Sequence, residues 1–176
     1  MKLSAKDLVL CGMFAALTAV ASQISIPIHP IPFTMQVLAV YLTGIILGYK
    51  KGFISIFVYV LLGAIGAPVF TNFSGGIQSI VGPTGGFIIA FPFMALLAGY
   101  SSQKSYNKLK SAAALILSLV LCYTLGTTQL CLVTGMSISK ALKVAVIPFI
   151  MFDLVKIAIA YIIGLKVKNK VKLGVS

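Results

Sequence analysis

Carboxylate side chains are almost absent from this sequence of 176 residues. It contains two aspartates, no glutamate, no arginine, no tryptophan and a single histidine. Two carboxylates cannot build a two-carboxylate metal centre, and one histidine leaves zinc short of its three or four ligands. The sequence also lacks the GxxxxGK[ST] loop of ATP-binding proteins and the HExxH pattern of zinc proteases. We therefore expect no catalytic site, no metal site and no cofactor.

Cysteine is scarce as well. The three cysteines are Cys11, Cys122 and Cys131; all lie in apolar runs and none forms a CxxC pair. An odd number without a paired spacing does not indicate a disulfide framework. We expect these residues to behave as small apolar side chains.

Charged residues make up only 9% of the chain, whereas soluble domains carry roughly 25%. The chain is 60% hydrophobic, with a mean hydropathy of +1.10. These values predict an integral membrane protein in which residues 1–176 form one domain, with no room for a second, soluble one. The first apolar run lacks a signal-peptide cleavage pattern and is expected to be the first helix of the mature protein.

A membrane-spanning helix needs about 20 mainly apolar residues. Six apolar runs predict an all-α bundle of six transmembrane helices, followed by a basic tail at 166–176. The predicted spans are 7–26, 34–47, 53–65, 86–100, 111–133 and 141–165. The second and third are short for a complete crossing.

All fourteen basic residues are lysines, and they cluster at the ends of the predicted spans. Eleven fall on one side of a six-span chain, two on the other, and one within a span. Those eleven are Lys2, Lys6, Lys50, Lys51, Lys104, Lys108, Lys110, Lys166, Lys168, Lys170 and Lys172. The positive-inside rule predicts both termini in the cytoplasm. This clustering indicates contact with the lipid bilayer and not with nucleic acid.

The first two loops on the opposite, outer side carry no acid and no lysine. They are PIHPIPFT at 27–34 and a glycine-rich, apolar stretch at 63–86. Irregular backbone is tolerated at membrane depth only where it is buried in protein or lines a cavity. We interpret the glycine-rich stretch as a lid over a ligand pocket; the alternative is a plain flexible connector, which is usually richer in Ser, Lys and Glu.

Asp153 and Lys156 lie inside the sixth apolar run, three residues apart and so on one helix face. An ionisable side chain that faces lipid at this depth costs at least about 2.5 kcal/mol. Both are expected to face the bundle interior, as polar anchors of a small-molecule pocket. The alternative is a structural ion pair, which stabilises poorly compared with apolar packing.

Other candidate ligand contacts are uncharged. Asn72 in the glycine-rich loop offers two donors and an acceptor, but asparagine is also a common turn residue. His29 is expected to be a loop residue and not a proton relay. Polar side chains inside or near spans, which could line the pocket or join helices, are Gln36, Tyr41, Tyr59, Tyr123 and Gln129.

The first span carries small residues at helical spacing. Gly12 and Ala16 form one small-xxx-small pair, and Ala15 and Ala19 form a second. Such faces let helices approach closely. They fit either packing inside the bundle, which the spacing slightly favours, or docking of another membrane subunit.

Four motifs together resemble one family. They are PIPFTMQVLAVYLTGIILGYKKG, YVLLGAIGAPVFTNFSGGIQSIVGPTGGF, YTLGTTQL and PFIMFDLVKIAIA. In this order they resemble the BioY family, the biotin-specific substrate-binding subunits of energy-coupling-factor transporters, over about residues 8–165. The resemblance implies a six-helix bundle with a biotin pocket near the outer face. It also implies three partners, a transmembrane coupling protein and two ATPase subunits, in a bacterial plasma membrane.

The resemblance also implies residue roles. Polar contacts to biotin fall on Asn72, Asp153 and Lys156, and the docking face for the coupling protein falls on Gly12, Ala15, Ala16 and Ala19. Many members have a tryptophan where this chain has Gln129, which leaves Phe33, Phe73 or Tyr123 to supply an apolar wall. The expected function is biotin binding for ATP-driven uptake. Open alternatives are another small vitamin, or a stand-alone ion-coupled transporter with Asp153 carrying the proton.

Overall fold

The computed structural model describes residues 3–28, 31–102 and 107–171. His29 lies outside the described residues. The regular secondary structure of the described residues is helical apart from a two-stranded hairpin, with one short 3₁₀ helix at Thr71–Phe73. The helices are α1 (Ala5–Gln23), α2 (Gln36–Leu47), α3 (Tyr49–Ala64), α4 (Ile77–Val81), α5 (Gly85–Ser101), α6 (Lys108–Thr134), α7 (Ile138–Ala145) and α8 (Ile147–Val171); the strands are β1 (Ser25–Ile26) and β2 (Phe33–Thr34).

Six of the helices correspond to the six predicted spans. Of these, α1, α6 and α8 are long and apolar enough to cross a membrane. The 12 residues of α2 extend only about 18 Å at 1.5 Å per residue, well short of a hydrocarbon core of about 30 Å. The expected six-helix bundle is therefore present with unequal helices, and α4 and α7 are additional short ones.

The start of α1 uses the other aspartate of the chain. The Asp7 carboxylate accepts a hydrogen bond from the backbone N–H of Ser4 at 3.1 Å, and the Asp7 N–H donates to the Ser4 hydroxyl at 3.2 Å. This reciprocal pairing satisfies two otherwise free helix-end donors. Asp7 also forms an ion pair with Lys51 at 2.6 Å, which joins the starts of α1 and α3.

The sixth predicted span, 141–165, does not match one helix. The chain leaves helical geometry at Val146 (φ −122°, ψ −57°), which separates α7 from α8. Pro148 explains the break, because proline has no N–H to continue the hydrogen-bond ladder from α7. At the other end α8 continues to Val171, so residues 166–171 of the predicted tail are helical. Lys168 donates there to the Ser102 carbonyl at 3.0 Å and hydroxyl at 2.8 Å.

The two predicted outer loops meet at one end of the bundle, which we call the loop end (residues 24–28, 31–35 and 65–84). The hairpin pairs Ser25 with Thr34 and Ile26 with Phe33. Its antiparallel register brings the second strand back beside the end of α1. The second loop folds into a tight turn at residues 70–74, closed by a bridge between Phe70 and Ser74.

Candidate functional site

A cavity of about 200 Å³ opens at the loop end of the bundle. Its wall combines residues of both loops with the facing sides of α2, α5, α6 and α8. Those residues are Ile31, Pro32, Thr34, Gln36, Val37, Phe70, Thr71, Asn72, Ser74, Ser79, Thr84, Phe87, Ile88, Phe91, Cys122, Tyr123, Ala145, Phe149, Asp153 and Lys156. The wall is mostly apolar with few convergent polar groups, which is the usual composition of a small-molecule site.

Asp153 and Lys156 face this cavity from one side of α8. They are 4% and 5% exposed, and Lys156 Nζ lies 2.8 Å from Asp153 Oδ1. The ammonium also donates to the Thr34 carbonyl oxygen at 2.8 Å. The second carboxylate oxygen, Oδ2, accepts a hydrogen bond from the Tyr123 hydroxyl at 2.7 Å. One carboxylate therefore joins α8 to α6, while the lysine joins α8 to the hairpin.

The free hydrogen-bonding capacity of this cluster lies on Asp153. Two of the three Lys156 donors are used, and the remaining side of the ammonium lies 3.9 Å from the centroid of the Phe33 ring. That geometry is a cation–π contact. Each oxygen of Asp153 accepts one bond from the described protein, whereas an ionised carboxylate can accept about four. The Asp153 carboxylate can therefore accept further N–H groups from the cavity.

Gln36 and Asn72 lie at other points of the same wall. The Gln36 amide donates to the Tyr59 hydroxyl, which in turn donates to the Val69 carbonyl at 3.1 Å. Asn72 adopts left-handed geometry (φ 58°, ψ 37°), as asparagine tolerates in turns. Asn72 is therefore a turn residue that also lines the cavity.

Two of the other candidates, Tyr41 and Gln129, do not line the cavity. Tyr41 is completely buried, and its hydroxyl donates to the Leu115 carbonyl at 3.3 Å and accepts from Ser118 at 3.0 Å. The whole Tyr41 side chain therefore contributes to the packing of α2 against α6. The Gln129 amide donates to the carbonyls of Ile80 and Gly82 at 2.7 and 2.8 Å, because the loop approaches α6 at that point.

Phe33 and Phe73, candidates for the apolar wall, also do not line the cavity. Phe33 lies behind Lys156 and packs on Phe149 and Phe152, with ring centroids 6.3 and 5.2 Å apart. It supports the charged cluster without lining the cavity. Phe73 is 71% exposed, and its backbone is in the left-handed region (φ 54°).

The four small residues of α1 divide between two faces. Ala15 is buried and Ala19 packs against the core, whereas Gly12 and Ala16 are exposed. A side chain placed at Gly12 would meet no other atom within 4 Å. The prediction of one docking face therefore needs correction: Ala15 and Ala19 serve packing inside the chain, and only Gly12 and Ala16 remain on an open surface.

Several wall residues were missed by sequence reasoning. Phe149 precedes Asp153 by four residues and lies on the same face of α8, so helical spacing alone could have identified it. Phe70 belongs to the quoted loop motif, but apolar side chains there look alike in sequence. Thr34 contributes its backbone carbonyl to the charged cluster. A pattern of side chains in the sequence cannot predict a contact of this kind.

Comparison with known proteins places this architecture in a family. The model of the BioY family matches residues 1–173. The chain belongs to the BioY family. The probable biotin transporter BioY of Pyrococcus horikoshii is 46% identical over 162 residues, 92% of this chain and 96% of that protein. The biotin transporter BioY of Thermotoga maritima is 41% identical over 164 residues, which cover 93% and 96%.

A solved structure supports the fold of this BioY family member. The crystal structure of the S-component for biotin from an ECF-type ABC transporter superposes with a TM-score of 0.84 at 23% identity. The match covers 96% of this chain and 95% of the other. Together with the apolar helices, the family membership establishes an integral membrane protein.

Proposed function

We propose that this protein binds biotin in the cavity at the loop end and is the substrate-specific subunit of an energy-coupling-factor transporter. The observation that carries the proposal is the buried Asp153 carboxylate, which is paired with Lys156 and has acceptor capacity left at the cavity. The names of the similar proteins indicate that the ligand is biotin. The absence of an ATP-binding loop from the sequence fits a subunit whose partners hydrolyse ATP.

The chemical groups of biotin are complementary to those of the cavity wall. Its ureido ring carries two N–H donors and a carbonyl oxygen, on an apolar bicycle with a flexible carboxylate chain. Asp153 accepts a ureido N–H, and Lys156 serves as its counter-ion. Asn72 and the amide of Gln36 offer donors to the ligand's oxygens from other parts of the wall. The aromatic residues Phe70 and Phe91 enclose the bicycle.

The lysine distribution supports an orientation in which the loop end faces outward and both termini are cytoplasmic. Biotin then enters from outside. The exposed pair Gly12 and Ala16 on α1 offers a surface on which a helix of the coupling protein can pack closely. Two ATPase subunits on the cytoplasmic side complete the proposed complex.

The test is calorimetric titration of the purified chain in detergent with biotin and with a panel of other small vitamins. We expect saturable one-to-one binding of biotin and no binding of the others. Binding of a different vitamin alone would reassign the substrate, and binding of none by a folded chain would refute the proposal. Biotin uptake by liposomes that hold only this chain, driven by a proton gradient, would instead favour an ion-coupled transporter.

The docking face gives a separate prediction. Gly12→Leu is expected to abolish ATP-driven biotin uptake by chains co-reconstituted with the coupling protein and both ATPases, because the leucine prevents close helix approach. Biotin binding by the isolated variant should stay at the wild-type level. The matched control is Ala113→Leu, which enlarges an exposed small residue on α6. Equal uptake by both variants would contradict the assignment of this face.

A further inference from the structure

The last residues of α1 hold the 70–74 turn through hydrogen bonds that no motif predicts. The Ser22 hydroxyl donates to the Val69 carbonyl at 2.7 Å. The Gln23 amide nitrogen donates to the Phe70 carbonyl at 2.9 Å, and the Gln23 side-chain oxygen accepts from the Phe73 N–H at 2.9 Å. Three bonds therefore join one helix end to both sides of one turn, and Gln23 uses the donor and the acceptor of its amide.

This turn is costly in itself. Asn72 and Phe73 both have positive φ, 58° and 54°; asparagine tolerates left-handed geometry, but it is unfavourable for a bulky residue such as phenylalanine. Burial does not compensate at Phe73, because the residue is 71% exposed. A conformation of this kind persists only where surrounding groups impose it. The bonds from α1 are such groups, since one of them takes the N–H of Phe73 itself.

The turn also forms part of the wall of the cavity. Phe70, Thr71, Asn72 and Ser74 all face it, whereas Gln23 does not. Phe70 is fixed further by an edge-on contact with Tyr59, at a centroid distance of 5.5 Å. Loss of the bonds from α1 would therefore loosen the residues that cover the cavity, without removing any group from its wall.

We propose that Gln23 is a positioning residue that clamps the 70–74 turn over the cavity and thereby sets the rate at which bound ligand leaves. The inference rests on the proposed function only for the identity of that ligand. Because the clamp lies on α1, a movement of this helix away from the loop breaks all three bonds together. The geometry thus links release of the ligand to the helix that carries the exposed Gly12–Ala16 pair.

The first measurement is the dissociation rate of labelled biotin from the wild type and from Gln23→Ala in detergent. We expect about tenfold faster dissociation from the variant, from the loss of two hydrogen bonds to the turn. Gln23→Glu keeps the acceptor for Phe73 but loses the donor to Phe70, so its rate should be intermediate. The matched control is Gln78→Ala, because Gln78 is an exposed glutamine on α4 whose described side-chain bond is local, to the Gly75 carbonyl.

The second measurement does not need a ligand. Hydrogen exchange of the amides at 69–74 should accelerate in Gln23→Ala and stay unchanged in Gln78→Ala, with equal melting temperatures for the two variants. Unchanged exchange at these amides in Gln23→Ala overturns the clamp. An unchanged rate of biotin dissociation from Gln23→Ala, in spite of faster amide exchange, would also refute the clamp. If the wild type binds no biotin, the proposed function fails, while the exchange result alone still decides whether the clamp exists.

Discussion

Lys156→Met is expected to abolish biotin binding and to destabilise the folded protein by about 3–5 kcal/mol, the usual effect of removing one partner from a buried ion pair. Asp153 would remain in the bundle with Tyr123 as its described donor. The variant also frees the Thr34 carbonyl, so the hairpin loses its bond to α8. Thermal unfolding in detergent measures the loss of stability, and calorimetric titration measures the loss of biotin binding.

The double variant Asp153→Leu/Lys156→Met separates structure from function. Replacing a buried pair by apolar side chains of similar volume is often neutral or stabilising, so we expect most of the lost stability to return. Biotin binding should not return, because the carboxylate that accepts its N–H groups is gone. A control is Lys51→Met, which breaks the partly exposed ion pair with Asp7 far from the cavity and should leave binding unchanged. Full binding by the double variant would make the pair purely structural.

The single variant Asp153→Asn tests how much the negative charge of the carboxylate contributes to biotin binding. It keeps the size of the side chain but offers one acceptor oxygen and leaves the Lys156 ammonium without its counter-ion. We expect weaker biotin binding, by at least about 1–3 kcal/mol, the cost of one unsatisfied buried partner. An unchanged affinity for biotin would show that Asp153 does not contact the ligand.

The helix bundle and the charged pair could be predicted because both depend on local rules. Long apolar runs must be helical in a membrane, since the backbone has no other way to satisfy its polar groups. Asp153 and Lys156 are three residues apart, so any helix places them on one face, and the cost of charge in lipid turns that face inward. Neither step needs knowledge of which helices are neighbours.

The remaining contacts depend on helix rotation and on loop paths, which these local rules do not determine. Tyr41 and Tyr123 look alike as tyrosines inside apolar runs, yet one joins two helices in the core and the other meets Asp153. Gln23 resembles an ordinary polar residue at a helix end. Its bonds to the loop connect residues about 50 positions apart in the chain, and only the folded structure brings them together.

The small residues illustrate the same limit. Sequence spacing defines two small-residue pairs on α1 but not which pair faces the bundle. A close helix contact in the core is instead made by Gly44 on α2 and Gly52 on α3, which lie on different helices and form no motif. A side chain at Gly52 would come within 2.8 Å of the Gly44 Cα atom.

Gly44→Val is expected to prevent folding, and Gly44→Ala to destabilise by about 3 kcal/mol, the upper end of the usual cost of overpacking a core. A Cβ atom at this position would overlap the Ala95 carbonyl on α5 and lie 2.9 Å from the Ala98 Cβ atom. The obstacle is backbone and a short side chain, so no flexible group can move aside. The yield of folded chain after detergent extraction, and its melting temperature, measure the effect.

Gly12→Ala is the matched control, because it adds the same methyl group to a helical glycine with no other atom within 4 Å. It should leave the melting temperature unchanged or raise it slightly, since alanine is the better helix former. A wild-type melting temperature for Gly44→Ala would show that α2 and α5 are further apart than described. Because α2 carries Gln36 and α5 carries Phe91, the cavity wall would then be wider as well, so this packing test also bears on the shape of the site.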